Sequence, residues 1–422
     1  MNYTQHGHQV REHRLTVPLN HREPHGEQIE LFAREVTRPG GEKLPPLLFL
    51  QGGPGGAGPR PGDFATGWIG VALADYRVVL LDQRGTGQSS QDAVLPASDR
   101  ALADHLSLFL QDQIIADAEA LRAHLEVDRW VTLGQSYGGF LTLAYLSAHP
   151  EAIERSFITG GLPGLGSIDE IYRLTYRATA ARNRAYFRHY PQDEATLRAV
   201  AGHLEQVEEH LPTGERLTPT RLRMLGMSLG TQTAYDLLHY LLEGPFVSRG
   251  GERRLTPSFL AGVGAQVSHA GRPLYAALQE AIYGPTSPAG TRWAAERLAG
   301  EFAGFNLEAD PLDQSEPWYL TGEHMFRAFF EEDPSLVPYL GAVDLLAEKT
   351  DWAQIYDQSV LSQIDVPIAA AVYYDDMFVP RELSLETAAL LGARTLVTNE
   401  FQHDGLRAGD VFARLKTLMF DH

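Results

Sequence analysis

Ser136 lies in the pentapeptide Gly134-Gln135-Ser136-Tyr137-Gly138. Glycines two residues to either side tolerate the crowded backbone of a sharp turn, which lifts a serine side chain clear of the sheet beneath it. A hydroxyl is a poor nucleophile at neutral pH. It needs a base to take its proton and an acid that fixes the base's tautomer and balances its charge. Where this turn is used, the partners follow in the chain order Ser, Asp, His. The C-terminal part of the chain supplies both residue types. Tyr373-Tyr374-Asp375-Asp376-Met377-Phe378-Val379-Pro380 follows one predicted strand, and Glu400-Phe401-Gln402-His403-Asp404-Gly405 follows the next. Of the 16 histidines only His403 and the final His422 come so late, which makes His403 the expected base. Asp375 and Asp376 are adjacent and only one can point at the imidazole; the residues alone leave that choice open.

Attack on a carbonyl creates an oxyanion that needs two fixed donors, the amide after the nucleophile and one from the turn after an earlier strand. Tyr137 provides the first. The second is expected from Gly53 in Gln51-Gly52-Gly53-Pro54-Gly55-Gly56, directly after Leu47-Leu48-Phe49-Leu50. No Gly-Lys-Ser/Thr follows this turn, so a phosphate cradle is not expected there. No His-Glu-x-x-His occurs, and His6, His8 and His13 cluster near one terminus, so neither a metal nor a cofactor is expected. The loop Asp82-Gln83-Arg84-Gly85-Thr86-Gly87-Gln88-Ser89 contains a charge pair and reads as an internally bonded brace for the rim of the site.

The elements that must hold these residues are legible as strands and helices. Arg14–Val17 and Ile29–Ala33 flank a polar turn and predict an antiparallel hairpin. Leu47–Leu50, Tyr76–Leu81, Trp130–Leu133 and Ser156–Thr159 are short apolar runs suited to strands buried on both faces. Apolar residues recur at helical spacing from Gln113 to Leu125, and a second helix is expected from Phe140 to Ala148 ahead of Pro150. Strand, helix and strand in this order predict an α/β fold with a mostly parallel central sheet. From about 166 to 350 the texture is helical, and strand-like runs resume at Ile368–Tyr374 and Arg394–Thr398. The expected division is therefore a core over 1–165, an inserted helical cap over 166–355, and the rest of the core over 356–422.

At 422 residues the chain exceeds what one core usually fills. Its 35 basic and 54 acidic residues give a formal charge of −19, which repels nucleic acid and anionic membrane surfaces at long range. No apolar window is long enough to span a bilayer, and the first residues lack the pattern of a secretory signal. A cytoplasmic location with no nucleic-acid or membrane partner is expected. Cysteine is absent, which removes disulfides and a thiolate nucleophile together.

Taken together, Gly52-Gly53-Pro54-Gly55, Asp82-Gln83-Arg84-Gly85-Thr86-Gly87, Gly134-Gln135-Ser136-Tyr137-Gly138-Gly139, Asp376 four residues before Pro380, and His403-Asp404-Gly405 resemble the longer branch of the prolyl aminopeptidases, or proline iminopeptidases. These belong to the α/β-hydrolase superfamily. The resemblance implies Asp376 as the acid. It also implies release of an N-terminal residue, preferably proline, from peptides with a free N-terminus, through an acyl-enzyme on Ser136. At Gln51 the sequence departs from the family, which usually carries histidine there. The family holds the substrate's amino end with carboxylates from its cap, and a buried cation needs such a partner. Glu280 and Glu323, each set among apolar and aromatic residues, are the expected pair, with Glu243 a third candidate. Glu205, Glu208 and Glu209 read as a solvated helix face. An esterase or lactonase using the same triad on an uncharged substrate is the competing reading, and a binding protein without turnover is a third.

Overall fold

Short runs of Leu, Val, Ile and Ala bounded by turns build a nine-stranded sheet. The computed structural model describes residues 1–90 and 95–420. Its strands are β1 (Asn2–Gln5), β2 (His8–Pro18), β3 (Gln28–Thr37), β4 (Pro46–Leu50), β5 (Arg77–Asp82), β6 (Trp130–Gln135), β7 (Ile153–Thr159), β8 (Phe246–Arg249), β9 (Glu252–Leu255), β10 (Ile368–Tyr373) and β11 (Arg394–Thr398). The large sheet runs β1-β2-β3-β5-β4-β6-β7-β10-β11. It is parallel from β5 to β11 and antiparallel at the β1–β3 edge, including the β3–β5 pair. The expected hairpin pairs Arg14 with Phe32 and Leu15 with Leu31. The pattern does not announce β1, whose four residues alternate between exposed and half-buried.

Both faces of the parallel strands are covered, which explains why the sequence shows continuous apolar runs there. Successive side chains go to opposite faces. Leu47, Phe49, Val78 and Leu80 pack with Ile69 and Leu73 of helix Gly67–Leu73 and with Phe412 and Leu415 of helix Val411–Phe420. Leu48, Leu50, Val79 and Leu81 pack on the other face with Ile114 and Leu121 of helix Gln111–His124 and with Leu141 and Tyr145 of helix Tyr137–Ala148. Full burial of each such leucine stabilises the fold by about 1.5–3 kcal/mol.

Between β7 and β10 the chain forms helices and the small β8–β9 hairpin, and neither of those strands joins the large sheet. The first helix, Ile168–His189, is capped by the Ser167 side chain, which accepts from the Glu170 amide. It buries Ile171, Tyr172, Thr175, Tyr176, Thr179 and Tyr186 at helical spacing. Among the described residues no helix is long and apolar enough to cross a membrane. The parallel arrangement brings the carboxyl ends of β4, β6, β10 and β11 to one side of the sheet, where ligands of open α/β sheets bind.

Candidate active site

β6 ends at Gln135 and the helix from Tyr137 begins two residues later, so Ser136 alone makes the turn. Its φ of 57° and ψ of −127° are strained for a residue with a side chain, at a cost on the order of 1–3 kcal/mol. Backbone bonds hold it there. The Ser136 amide donates to the Thr159 carbonyl at 3.0 Å, and its own carbonyl accepts from the Gly139 amide at 2.7 Å. The flanking glycines are demanded by space. A Cβ at Gly138 would lie 1.9 Å from the Leu50 carbonyl oxygen, and one at Gly134 would lie 2.3 Å from the Gly138 carbonyl oxygen.

The loops after β10 and β11 bring Asp376 and His403 together. Asp376 Oδ2 is 2.8 Å from His403 Nδ1, while Oδ1 accepts from the amides of Phe378 (2.9 Å) and Val379 (3.0 Å). Asp376 is buried and Asp375 exposed, so of the two adjacent aspartates it is Asp376 that meets the imidazole. Phe378 presents an edge to the His403 ring at 5.0 Å. Burial alone would lower the His403 pKa, but the charge and hydrogen bond of Asp376, helped by Glu323, outweigh it and raise the value above 6.5. Ser136 and His403 line one cavity of about 310 Å³. His422 lies outside the described residues.

Gly53 lines the same cavity with a φ of 138°, a conformation suited to glycine. The Tyr137 amide opens its helix, where the first N–H groups have no intrahelical acceptor. The turn at Gln51 is supported from an unexpected side: the buried Gln83 donates through Nε2 to the Gln51 carbonyl at 2.8 Å. In the loop that contains Gln83, Asp82 and Arg84 do not pair with each other. Asp82 accepts from Gly58 (3.0 Å), Gln88 (2.7 Å) and Arg60. Arg84 grips Asp117 with two bonds of 2.7 and 2.6 Å and also donates to the carbonyls of Leu19 and Leu108.

The two expected carboxylates part company. Glu323 lines the Ser136 cavity, and its Oε1 accepts from Tyr275 Oη at 2.5 Å. Burial holds its pKa above the ordinary carboxylate value, against the Tyr275 hydrogen bond and the nearby His403. Glu280 does not line that cavity. It borders a separate space with Ala276, Thr291, Trp293, Met325 and Val343. There its Oε1 caps the start of helix Ala294–Ala299 by accepting from Ala295 N at 2.9 Å, and its Oε2 is buried without a hydrogen bond. Burial pushes its pKa up to about 7, against the amides of Ala295 and Ala294 and the side chain of Thr291. Glu280 is thus a helix-capping acid, and its apolar neighbours in sequence reflect their own burial. Glu243 has a side chain 63% exposed and sits 3.9 Å from His239. Glu209, expected on a solvated face, is buried instead and meets His203 (2.9 Å), Arg254 (3.2 Å) and the Leu255 amide (2.9 Å).

Sequence reasoning missed Tyr275 and His324. His324 stacks on Tyr176 at 3.9 Å. Its Nδ1 accepts from Gly322 N at 3.1 Å, so its Nε2 donates to Thr175 Oγ1 at 2.9 Å. Burial lowers its pKa to about 3, which keeps it neutral. It fixes the backbone on either side of Glu323. The adjacency of Glu323 and His324 was the available signal, but only the fold shows which of the two reaches the cavity.

A strained serine after a parallel strand, with histidine and aspartate on the loops of two later strands, defines an α/β-hydrolase, and the alpha/beta hydrolase fold family model matches residues 45–198. The chain is 43% identical over 404 residues to a proline iminopeptidase of Aeromonas sobria, covering 94% of this chain and 92% of the relative. It is 31% identical over 429 residues to a proline iminopeptidase of Aspergillus aculeatus, covering 97% and 93%. A probable proline iminopeptidase of Streptomyces coelicolor matches at 37% identity over 31% of this chain and 36% of its own length. The chain belongs to the proline iminopeptidase family, as its dispersed motifs implied.

Proposed function

We propose that this protein is a serine aminopeptidase that releases an N-terminal residue, preferably proline, from peptides with a free amino terminus. Ser136 Oγ attacks the first peptide carbonyl while His403 Nε2 takes its proton. Asp376 holds Nδ1 and balances the imidazolium. The amides of Gly53 and Tyr137 receive the oxyanion. His403 then protonates the leaving amine, and water activated by the same imidazole hydrolyses the prolyl ester on Ser136. No metal or cofactor enters this scheme. The proposal includes a cap over 166–355 between core segments 1–165 and 356–422. A cytoplasmic location is in keeping with a chain that lacks cysteine.

The observation that carries the reading is Glu323, a partly buried carboxylate in the nucleophile's own cavity. An ester or lactone has no cationic end to offset it, whereas the secondary ammonium of N-terminal proline does. Hydrolysis of prolyl-p-nitroanilide and N-acetylprolyl-p-nitroanilide decides the matter. The free amine is expected to react at least tenfold faster in kcat/KM, roughly the worth of one charge-assisted hydrogen bond. Equal rates would sink the aminopeptidase reading and favour an esterase.

A further inference from the structure

Two arginines line the Ser136 cavity along with Glu323. Arg272 comes from the cap and Arg407 from the core. Both are exposed, while Glu323 is partly buried. Arg272 lies over the Tyr275 ring, 4.9 Å from its centre. Arg407 reaches Gln135, the residue before the nucleophile, with Nη2 3.4 Å from Oε1. Acidic residues outnumber basic ones 54 to 35 in this chain, yet among the described residues neither of these two arginines forms an ion pair. Asp404, the other carboxylate on the cavity wall, accepts instead from the Gln232 amide at 3.0 Å. The cavity therefore has a carboxylate, Ser136 and, on its exposed walls, two cations that form no ion pair among the described residues.

We propose that Arg272 and Arg407 are specificity-determining residues that receive the free α-carboxylate of a short substrate, so that the preferred substrate is a prolyl dipeptide bound as a zwitterion. The inference rests on the aminopeptidase reading and extends it from the amino end of the substrate to its other end. With the ammonium at Glu323 and the first carbonyl at Ser136, the leaving residue points toward the exposed walls. In a dipeptide its carboxylate carbon is two bonds from the scissile nitrogen, close to the nucleophile and hence to the Gln135 neighbour Arg407. Guanidinium is the side chain best matched to a carboxylate, because its donors form a planar fork. A cavity of about 310 Å³ is also at the small end of the ~300–1,000 Å³ typical of small-molecule sites.

The test compares kcat/KM for Pro-Ala, Pro-Ala-amide and Pro-Ala-Ala in the wild type and in Arg272→Gln, Arg407→Gln and the double variant. The wild type is expected to favour Pro-Ala over its amide roughly tenfold, chiefly through KM, with Pro-Ala-Ala in between. In the double variant the ratio should fall to within about twofold of one, and Arg407→Glu should bring it below one. Because the ratio is internal to each protein, partial loss of activity does not blur it. If a variant fails to fold, the wild-type ratio measured from low salt to about 0.5 M reads the same contact, since an exposed charge pair is screened. A wild-type ratio of one, a ratio unchanged in the double variant, or a salt-independent ratio would each overturn the inference. Absence of any prolyl-p-nitroanilide hydrolysis by the wild type would instead overturn the aminopeptidase reading itself.

Discussion

Ser136 and Glu323 face one cavity from two regions of the molecule, and they are held by different means. The serine is held by backbone: amide and carbonyl bonds to Thr159 and Gly139, and glycines pressed against neighbouring carbonyls. The glutamate is held by side chains, with Tyr275 on its carboxylate and His324 wedged between Tyr176 and Thr175 behind it. Backbone geometry is indifferent to most substitutions, whereas side-chain packing changes with each one. On the proposed reading, the sheet and its turns fix the chemistry, and the segment bearing Glu323 sets what the chemistry reaches.

Ser136→Ala should show the largest effect. It removes the nucleophile while leaving the cap intact, so activity on prolyl amides should drop on the order of 10⁴-fold or more, with folding unchanged by circular dichroism. Full activity in this variant would dissolve the core side of the comparison. Glu323→Gln should cost roughly 10²-fold in kcat/KM for prolyl amides and far less for N-acetylprolyl amides. It carries a second signature. As the proposed base His403 acts only when neutral, and its raised pKa moves the acid limb of kcat/KM upward from that of an ordinary imidazole. Removing the Glu323 charge withdraws one group that favours the imidazolium, so that limb should move to lower pH. A rate loss with an unmoved limb would leave Glu323 only a structural part.

The smallest effect on activity is expected from Glu280→Gln, within about threefold, because this acid lies off the cavity; it should show in stability instead. The folded-state pKa of Glu280 is raised from 4.5 to about 7. The unfolded chain therefore loses its proton first, and wild-type stability falls as pH rises from about 4.5 through 7. The loss amounts to roughly 3 kcal/mol at most. Glutamine keeps an oxygen for the Ala295 amide and cannot ionise, so the melting-temperature gain over wild type should be larger at pH 8 than at pH 5. An equal difference at both pH values would show that burial does not hold this proton.

The same division decides what the chain discloses before folding. The Ser136 turn, the strands beside it and the chain order to His403 are written in local patterns, because glycines and apolar runs are required by backbone geometry at those points. Asp376 needed more: the local residues leave it level with Asp375, the family resemblance favours it, and its burial and bond to His403 set it apart. Glu280 and Glu323 look alike along the chain, each among apolar and aromatic residues, and Glu209 reads there as one of an acidic run. One caps a helix, one faces the Ser136 cavity, and one ties His203 to Arg254 and Leu255 of the β8–β9 hairpin. Their neighbours in space, Tyr275 for Glu323 and Leu255 for Glu209, lie 46 to 48 residues away, and no short window contains them.

The contact between Gly138 and the Leu50 carbonyl has a consequence for how this site can be altered. With no side chain able to enter that gap, the end of β4 and the start of the nucleophile's helix are spaced by the thickness of the polypeptide itself. The turn bearing Gly53 and the turn bearing Ser136 hang from those two ends, so they shift together or not at all. Attempts to enlarge the pocket for bulkier first residues should therefore succeed through cap substitutions and fail through the core, where the donor and the nucleophile are set by a single shared ruler.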